Sequence, residues 1–201
     1  MPRRSTPAAR RRAGNRIVAA IVQSPPSRDF ANCLGDVSLT AKQKTTALSR
    51  WLLANTDDAD SLIAFAKKAT DVDKATCLEA FEYATRTVAE VGSRRVFEFA
   101  AASLDDDASR VKWEAAKLVA NIAHRHGKHL GKAIPGLLGN AAHEGTVVRW
   151  SAARALGEII KLTTSHNAEL IPVADALCGK ERDNAIRNHY LKALKKVAKA
   201  R

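Results

Sequence analysis

The sequence predicts an all-α protein, built as a right-handed α-solenoid of about four stacked helix pairs. The first observation is an internal repeat: residues 147–160, VVRWSAARALGEII, match residues 110–123, RVKWEAAKLVANIA, at a spacing of 37. The second is helical periodicity in the apolar residues after residue 29, without an alternating strand pattern or a hairpin signal. The third is composition, because 46% of the residues are hydrophobic but only 5% are aromatic, and alanine suits closely packed helices.

The first 28 residues differ from the rest and are predicted to form a basic, flexible tail. They are rich in Pro and Arg, and residues 1–16 contain six arginines and no acid. Pro25 and Pro26 block the continuation of any helix that precedes them. We therefore assign residues 1–28 to the tail and residues 29–201 to a helical repeat domain.

The helices of the repeat domain can be assigned in order along the chain. A helix near residues 40–54 begins at a Thr40 cap and is predicted to close the N-terminal end of the solenoid. Each later unit consists of a short first helix, a turn and a longer second helix. The second helices are predicted at about residues 74–88, 110–123, 147–160 and 185–197. The earliest of these copies is the most degraded.

The repeated second helix has one apolar stripe, and the stripe explains why the helix recurs. In the copy at residues 147–160 it consists of Val148, Ala152, Ala155, Leu156 and Ile159. A single helix pair cannot cover such a stripe, so each pair must pack against the next. Val111, Val148 and Ile186 are therefore expected to occupy equivalent places in successive layers.

The repeats resemble HEAT repeats of the armadillo/HEAT superfamily over residues 56–200, most clearly from Arg94 onward. The resemblance rests on first-helix prolines, acidic turns, basic pairs that open the second helices, and small residues further along: Pro135, Pro172, Asp106, Glu181, Val111-Lys112, Val148-Arg149, Ile186-Arg187, Ala115, Ala152 and Ala193. The first repeat departs from the pattern, because Cys77 falls where the basic residue is expected. The resemblance implies a non-catalytic scaffold or adaptor that binds a protein partner, although a fold alone does not fix a function.

Three basic residues recur once per repeat and are candidates for partner binding. Lys112, Arg149 and Arg187 could form a basic ladder along a concave face of the solenoid. The structural alternative is that they bind acids, as HEAT repeats characteristically do between units. The partners would then be acids six residues earlier, Asp106 for Lys112 and Glu181 for Arg187, or acids in the neighbouring repeat. Arg149 has no carboxylate at that offset, so we expect it to be the free member.

Trp113 and Trp150 directly follow two of these basic residues and complete the candidate partner-binding set. They could contact a partner or stack on nucleic-acid bases, or they could pack between layers and expose only the indole N–H edge. The leading alternative function is a DNA-binding protein similar to bacterial alkylpurine DNA glycosylases, whose HEAT-like fold combines inward-facing tryptophans, a catalytic Asp and a phosphate-binding Arg. In that case Trp113, Arg149 and Trp150 would line a DNA groove.

The sequence departs from the glycosylase pattern at the catalytic position. Lys117 and Arg154 stand one turn after the two tryptophans, where a carboxylate is needed to stabilise a developing cation. Glu114 and Glu158 are nearby but are expected to point to other sides of their helices. We therefore assign no catalytic residue and expect a protein that is not an enzyme.

The net charge of +12 is concentrated at the two ends of the chain. Residues 1–16 and 185–201 contain no acid, whereas the stretch between them is neutral. These ends are the candidate regions for contact with nucleic acid or another polyanion, through Arg3, Arg4, Arg10, Arg11, Arg12, Arg16, Lys192, Lys195, Lys196 and Lys199. The structural alternative for the last helix is a solvated cap, since terminal repeats need a polar outer face.

No metal or cofactor site is predicted. The histidines of residues 124–129, HRHGKH, lie in a turn after a helix and lack an additional Cys or carboxylate ligand. Cys33, Cys77 and Cys178 are widely spaced and are expected to be small core side chains rather than disulfide partners. No stretch has the length and apolarity of a membrane-spanning helix, and the expected location is the cytoplasm.

Overall fold

A computed structural model describes residues 29–199, and within that range the regular structure is helical and contains no strand. The α-helices are α1 (Phe30–Gly35), α2 (Ala41–Ala54), α3 (Ala59–Ala66), α4 (Asp71–Thr87), α5 (Arg94–Ala102), α6 (Ser109–Ile122), α7 (Ile134–Ala141), α8 (Thr146–Ile160), α9 (Asn167–Lys180) and α10 (Asn184–Ala198). Short 3-10 turns connect them at Thr56–Asp58, Ala89–Val91, Ser103–Asp105, Ala123–Arg125 and Gly127–Lys132. The prediction of an all-α protein is confirmed. The predicted tail, residues 1–28, lies outside the described residues.

The helices form two layers of neighbouring elements. The longer helices stack side by side, because α2 packs against α4, α4 against α6, α6 against α8, and α8 against α10. Each of α3, α5, α7 and α9 packs against the longer helix that follows it. These are the four predicted pairs, and α2 is the predicted helix at the N-terminal end. The short helix α1 packs against α2 and was not assigned from the sequence. We call α2, α4, α6, α8 and α10 the second helices.

Side-chain caps determine where several helices begin. The backbone N–H of Gln43 donates to Thr40 Oγ1 at 3.3 Å, and the backbone N–H of Thr40 donates to Gln43 Oε1 at 2.8 Å. This capping box starts α2 where the sequence predicts a helix start. Thr70, Ser93 and Asp183 accept backbone N–H groups in the same way at the starts of α4, α5 and α10. Such a cap stabilises a helix by roughly 1 kcal/mol.

The predicted apolar stripe of the second helices forms the seam between helix pairs. All its members in α8 are at most 1% exposed: Val148, Ala152, Ala155, Leu156 and Ile159. The third residues of α6, α8 and α10 are Val111, Val148 and Ile186, and each is equally buried. Their equivalence in successive layers is therefore confirmed. Full burial of a side chain of this size contributes roughly 1.5–3 kcal/mol, so repeated burial along the seam holds the pairs together.

Small residues allow neighbouring backbones to approach closely. A Cβ atom on Gly157 of α8 would lie 3.1 Å from the backbone oxygen of His189 in α10. A Cβ atom on Gly136 of α7 would lie only 2.8 Å from the Cβ of Leu104. Both glycines therefore stand where a larger residue would separate two packed elements.

The three cysteines are buried and unbridged, as the sequence predicts. Burial raises the pKa of the Cys33 and Cys77 thiols, because the charged thiolate is poorly solvated there. These cysteines therefore behave as small apolar core side chains.

Candidate protein-binding face

One side of the second helices faces away from the first helices and remains accessible. Residues three or four apart along a helix share a side, and the accessible residues of the second helices follow that spacing. Because α4, α6, α8 and α10 stack side by side, these residues form a grid with one column per helix. We call this grid the second-helix face. It consists of Val72, Glu79, Tyr83 and Arg86 on α4, Arg110, Trp113, Lys117 and Asn121 on α6, Val147, Trp150, Arg154 and Glu158 on α8, and Asn188, Lys192 and Lys196 on α10.

Direct contacts join neighbouring columns of this face. Arg110 Nη2 on α6 donates to Glu79 Oε2 on α4 at 3.3 Å. The Trp150 ring on α8 meets the His189 ring on α10 edge to face, with 5.0 Å between the ring centroids. The relative positions of the columns are therefore fixed by side-chain contacts as well as by the apolar seam.

A buried carboxylate organises the centre of the face. The side chain of Glu82 on α4 is fully buried, and its Oε1 accepts from Arg86 Nε at 2.8 Å and from Asn121 Nδ2 at 3.3 Å. Arg154 on α8 donates to Asn121 Oδ1 at 2.7 Å and lies 3.7 Å from Glu82 Oε1. Because an unpaired buried charge is costly, the two arginines are needed to compensate Glu82. The network links three successive second helices.

The predicted tryptophans occupy equivalent places, as the fifth residues of α6 and α8. Both are half-buried and have an accessible part on the face, and Trp150 also packs against the apolar core and the ring of His189 in the next layer. Trp113 Nε1 donates to Glu114 Oε1 at 2.7 Å, and Lys117 Nζ donates to Glu114 Oε2 at 2.8 Å. The packing interpretation therefore describes part of each ring, and partner contact by the remainder stays a prediction.

The expectation that both nearby acids point to other sides of their helices is wrong for Glu158, which lies on the second-helix face two turns after Trp150 and is bound by Lys161 at 2.7 Å. Glu114 is only 4% exposed, off the accessible side of α6, and accepts hydrogen bonds from both Trp113 and Lys117. Burial raises the pKa of Glu114, and the donors at Lys117 and Trp113 oppose that rise. A carboxylate that is buried and already accepts two hydrogen bonds is not available to a substrate at the surface. The position of Glu114 therefore argues against the glycosylase-like alternative.

The predicted basic ladder lies at the edge of the face, beside the turns that precede the second helices. Its members are the fourth residues of α6, α8 and α10: Lys112, Arg149 and Arg187. The fourth residue of α4 is Lys74, so the assignment of Cys77 to this place in the first repeat is wrong. The cap at Thr70 sets where α4 begins, and this shifts the register by three residues from the sequence alignment.

Arg149 is bound within the protein, and the expectation that it is free is wrong. Its Nε donates to Glu181 Oε2 at 2.9 Å, and its Nη1 donates to two carbonyl oxygens of the preceding turn at 3.0 and 2.7 Å. Lys74 likewise binds Asp106 at 2.7 Å. In both pairs the carboxylate comes from the turn of the following repeat. The sequence left open an acid six residues earlier or an acid of the neighbouring repeat, and both of these pairs use the neighbouring repeat.

The two acids expected to pair with Lys112 and Arg187 are thus bound by cations of the preceding repeat. Although burial acts to raise it, the pKa of Asp106 is lowered by hydrogen bonds from Lys74 and a backbone N–H, and Lys112 adds a smaller Coulombic effect. Arg187 is half-buried, and its Nε has no hydrogen-bond partner among the described residues. The ladder residues therefore differ in their internal contacts.

Exposed apolar side chains are concentrated on the same face. In the described part of the chain, five large apolar residues are exposed, and three of them lie on the second-helix face. These are Val72, Tyr83 and Val147, which are 66%, 42% and 52% exposed. None of the three was predicted from the sequence, although the helical positions of the two valines beside the buried stripe could have indicated them. The other two, Val37 and Val173, lie off the face.

The remaining predicted residues lie at the ends of the chain. Lys192, Lys195, Lys196 and Lys199 are exposed at the C-terminal end. The arginines between residues 1 and 16 lie outside the described residues. Within residues 29–199 no group of three His, Cys, Asp or Glu side chains is arranged to hold a metal ion. Across the same range, the helices all lack the length and apolarity needed to cross a membrane.

Comparison with solved structures identifies the class of fold. No protein-family model matches the chain, and no curated protein matches its sequence. An engineered protein from the Northeast Structural Genomics Consortium is similar at a TM-score of 0.63 and 18% identity, over 98% of this chain and 95% of that one. A designed armadillo repeat protein in complex with the peptide (KR)4 is similar at 0.59 and 15% identity, over 94% and 91%.

A third similar structure comes from a study of microtubule plus-end tracking by XMAP215, CLIP-170 and EB1, with a TM-score of 0.53 and 17% identity, over 96% of this chain and 86% of that one. At these identities the likeness concerns the fold alone. The fold is therefore an α-solenoid similar to those of armadillo and HEAT repeat proteins, as the repeats of the sequence indicate.

Proposed function

We propose that this chain is a non-catalytic scaffold that binds a protein partner along its second-helix face. The proposal rests on one observation, which is that exposed and half-buried apolar side chains lie together on this surface. The exposed ones are Val72, Tyr83 and Val147, and the half-buried ones are Trp113 and Trp150. Apolar side chains clustered among polar ones mark interaction sites, and Trp and Tyr are enriched among the residues that dominate binding energy. Partner binding therefore explains why these side chains are not covered.

The face is also held in place before any partner arrives. The Glu82, Asn121 and Arg154 network and the Trp150–His189 contact fix side chains on four successive second helices. A surface that is already ordered loses less conformational entropy on binding, which strengthens association. We assign the edge of this face to Lys112, Arg149 and Arg187, which contact the partner through the donors that internal hydrogen bonds leave available.

Peptide binding by a similar fold supports the proposal. The designed armadillo repeat protein described above was solved with a peptide bound. Only 15% of its residues are identical to those of this chain, so the peptide that it binds does not indicate which peptide this chain binds. The relevant point is that a solenoid with a similar fold can bind a peptide.

The test is selection of peptides from a random library against the full chain. We expect enriched peptides that bind the wild type and lose binding in the double variant Val72→Asp/Val147→Asp. Both valines lie in the first turn of a helix, where an acidic residue is compatible with folding. The matched control is Val37→Asp/Val173→Asp, which changes exposed valines off the face. Peptides that bind all three proteins equally would refute binding at this face.

We also propose that the basic ends of the chain contact nucleic acid or another polyanion. The supporting observation is the run of exposed lysines near the C-terminal end, in a stretch from residue 184 to 199 that contains no acid. Binding to random duplex DNA should then weaken steeply as salt increases, and deletion of residues 1–16 should reduce the slope. Absence of binding at low salt would refute this role.

A separate DNA experiment tests the glycosylase-like alternative. Incubation of the wild type and Arg149→Ala with alkylated DNA measures base release directly. We expect no release by either protein, because the surface beside Trp113 offers Lys117 rather than a carboxylate. Release by the wild type that is lost in Arg149→Ala would establish the alternative.

A further inference from the structure

The charge of the second-helix face changes from its first column to its last. In the α4 column, Glu79 accepts from Arg110 of α6, so the two charges offset each other. In the α10 column, Lys192 and Lys196 are exposed, and the helix contains no acid. The C-terminal part of the face is therefore positive, whereas its N-terminal part is close to neutral.

The α8 column adds to the positive charge of its neighbour. Its Arg154 donates to the amide oxygen of Asn121 and shares the single carboxylate of Glu82 with Arg86, so these three charged groups together keep one positive charge. Its single acid, Glu158, is bound by Lys161 at 2.7 Å. Close packing of α8 on α10 at Gly157 places these cations beside the lysines of the last helix.

His189 lies where α8 packs against α10, and its pKa reflects the charged groups around that contact. Burial lowers the pKa of His189, and Arg154, Lys192 and Lys161 lower it further, while Glu158 opposes them. Three cations and one carboxylate thus lie within electrostatic range of the same ring. An anionic group placed over α8 and α10 would meet a favourable potential.

We propose that the partner is an extended peptide segment whose acidic side chains lie over α8 and α10 and whose apolar side chains lie over α4 and α6. This inference rests on the proposed function, because it names the chemistry of the segment bound by the same face. The apolar end contacts Val72, Tyr83 and Trp113, which are accessible on those two helices. The acidic end contacts Arg154, Lys192 and Lys196, and the arrangement sets the direction of the segment across the face.

The spacing of the helices sets the length of this segment. Packed helices lie about 8–10 Å apart, so the path from α4 across α6 and α8 to α10 is roughly 27 Å. An extended chain advances about 3.3 Å per residue, and about eight to nine residues therefore span the four columns. A segment of this size can present apolar side chains at one end and acidic ones at the other.

A peptide fits this face better than a nucleic acid does. A nucleic-acid strand carries negative charge along its whole length, and its phosphates would meet Glu79 at the α4 end of the face. Val72, exposed on α4, also offers no polar group to a phosphate or sugar. A segment with charge at one end only matches both the apolar and the basic parts.

The experiment measures fluorescence anisotropy of labelled peptides of about nine residues with the full chain. One probe has leucine and tyrosine in one half and glutamates in the other. A second replaces the glutamates by glutamine, and a third replaces them by lysine. We expect the glutamate probe to bind about tenfold more tightly than the glutamine probe, and the lysine probe to bind least.

Charge-reversal variants locate the acidic end of the peptide. Lys192→Glu/Lys196→Glu should weaken the glutamate probe by about tenfold or more and strengthen the lysine probe. The matched control is Lys128→Glu/Lys180→Glu, which gives the same change in net charge at exposed lysines off the face. The control should leave binding of the glutamate probe nearly unchanged. Circular dichroism and thermal melting of both variants report whether they remain folded.

Three outcomes overturn the inference. The first is that the glutamate probe does not bind. The second is that it binds no more tightly than the glutamine probe. The third is that its affinity falls equally in both charge-reversal variants. Tighter binding of a single-stranded oligonucleotide than of the glutamate probe, lost in Lys192→Glu/Lys196→Glu, would assign the patch to nucleic acid instead. Face-dependent peptides from the random library would leave the proposed function standing in each case, because that selection does not depend on acidic residues.

Discussion

Gly136 and Gly139 lie in the same short helix, α7, but have different surroundings. A Cβ atom on Gly136 would meet Leu104 Cβ at 2.8 Å and Asp105 Oδ1 at 3.1 Å, whereas nothing lies within 4 Å of one on Gly139. Gly136→Ala should therefore lower the free energy of unfolding by about 1–3 kcal/mol through overpacking. Urea denaturation measures the change.

The control for this prediction is Gly139→Ala in the same helix. Because alanine has the higher helix propensity and no contact opposes it there, this variant should be neutral or stabilise by up to about 1 kcal/mol. Equal effects of the two substitutions would contradict the close packing of α7 against Leu104.

His126 makes stability depend on pH. Its ring is 8% exposed, packs against the Phe97 ring at 4.9 Å between centroids and has Nε2 at 2.8 Å from the carbonyl oxygen of Gly92. Burial lowers the pKa of His126, and the nearby side chains of Arg125, His129 and His124 act in the same direction, against the Gly92 hydrogen bond. The folded state therefore favours the neutral form of the His126 ring.

The sign of the pH dependence follows from this lowered pKa. The unfolded chain binds a proton on this residue near the ordinary value of about 6.5, above the folded value. The stabilisation is complete above about pH 6.5 and is lost as the pH falls toward the folded pKa. Thermal melting from pH 8 downward should show a smaller loss of Tm in His126→Gln than in the wild type. The pKa of His189 is also lowered, so part of the dependence should remain in the variant.

At the scale of elements, the junction between α8 and the α9–α10 turn depends on one ion pair. Arg149 and Glu181 are 23% and 11% exposed at their side chains, so solvent screens this pair only in part. Arg149→Ala also removes the donor to two carbonyl oxygens. We expect a loss of about 1–3 kcal/mol in the free energy of unfolding.

A double-mutant cycle with Glu181→Ala measures how much of that loss belongs to the pair. The coupling should be favourable, and Arg182→Ala, which removes an exposed neighbouring cation, should change stability by less than about 0.5 kcal/mol. A coupling near zero would mean that Arg149 acts mainly through the carbonyl oxygens.

At the scale of the whole molecule, stability is expected to be distributed along the array. Each second helix packs mainly on the one before and the one after it. Leu118 in the central helix α6 is fully buried, and Leu118→Ala should cost about 2–5 kcal/mol. In a stacked array the loss of stability should be largest in α6 itself and next largest in the helices that pack directly against it.

Hydrogen exchange tests this expectation. Exchange of backbone amides in Leu118→Ala should accelerate most in α6, then in α4 and α8, and least in α2 and α10. The same substitution would raise exchange uniformly if the chain opened only as a single cooperative unit, and that result would contradict a distributed array.

The sequence by itself determined the features that depend on residues close together in the chain, namely the helices, their apolar stripes and their caps. The apolar period of 147–160 defines a stripe that needs a neighbour, and its recurrence in 110–123 defines the stacking. Thr40 is recognisable as a cap because its hydroxyl and Gln43 lie within one helical turn. The four helix pairs and their buried seam could therefore be predicted.

Only the tertiary structure decided which polar residues bind each other and which remain for a partner. Arg149 meets Glu181 and Asn121 meets Glu82 across layers, at distances along the chain set by how one helix pair rests on the next. Local spacing contains no such information, so it left open whether each cation binds an acid of its own turn or an acid of the neighbouring repeat. Exposure follows the same rule, because a helix side becomes a surface only when no neighbouring element covers it.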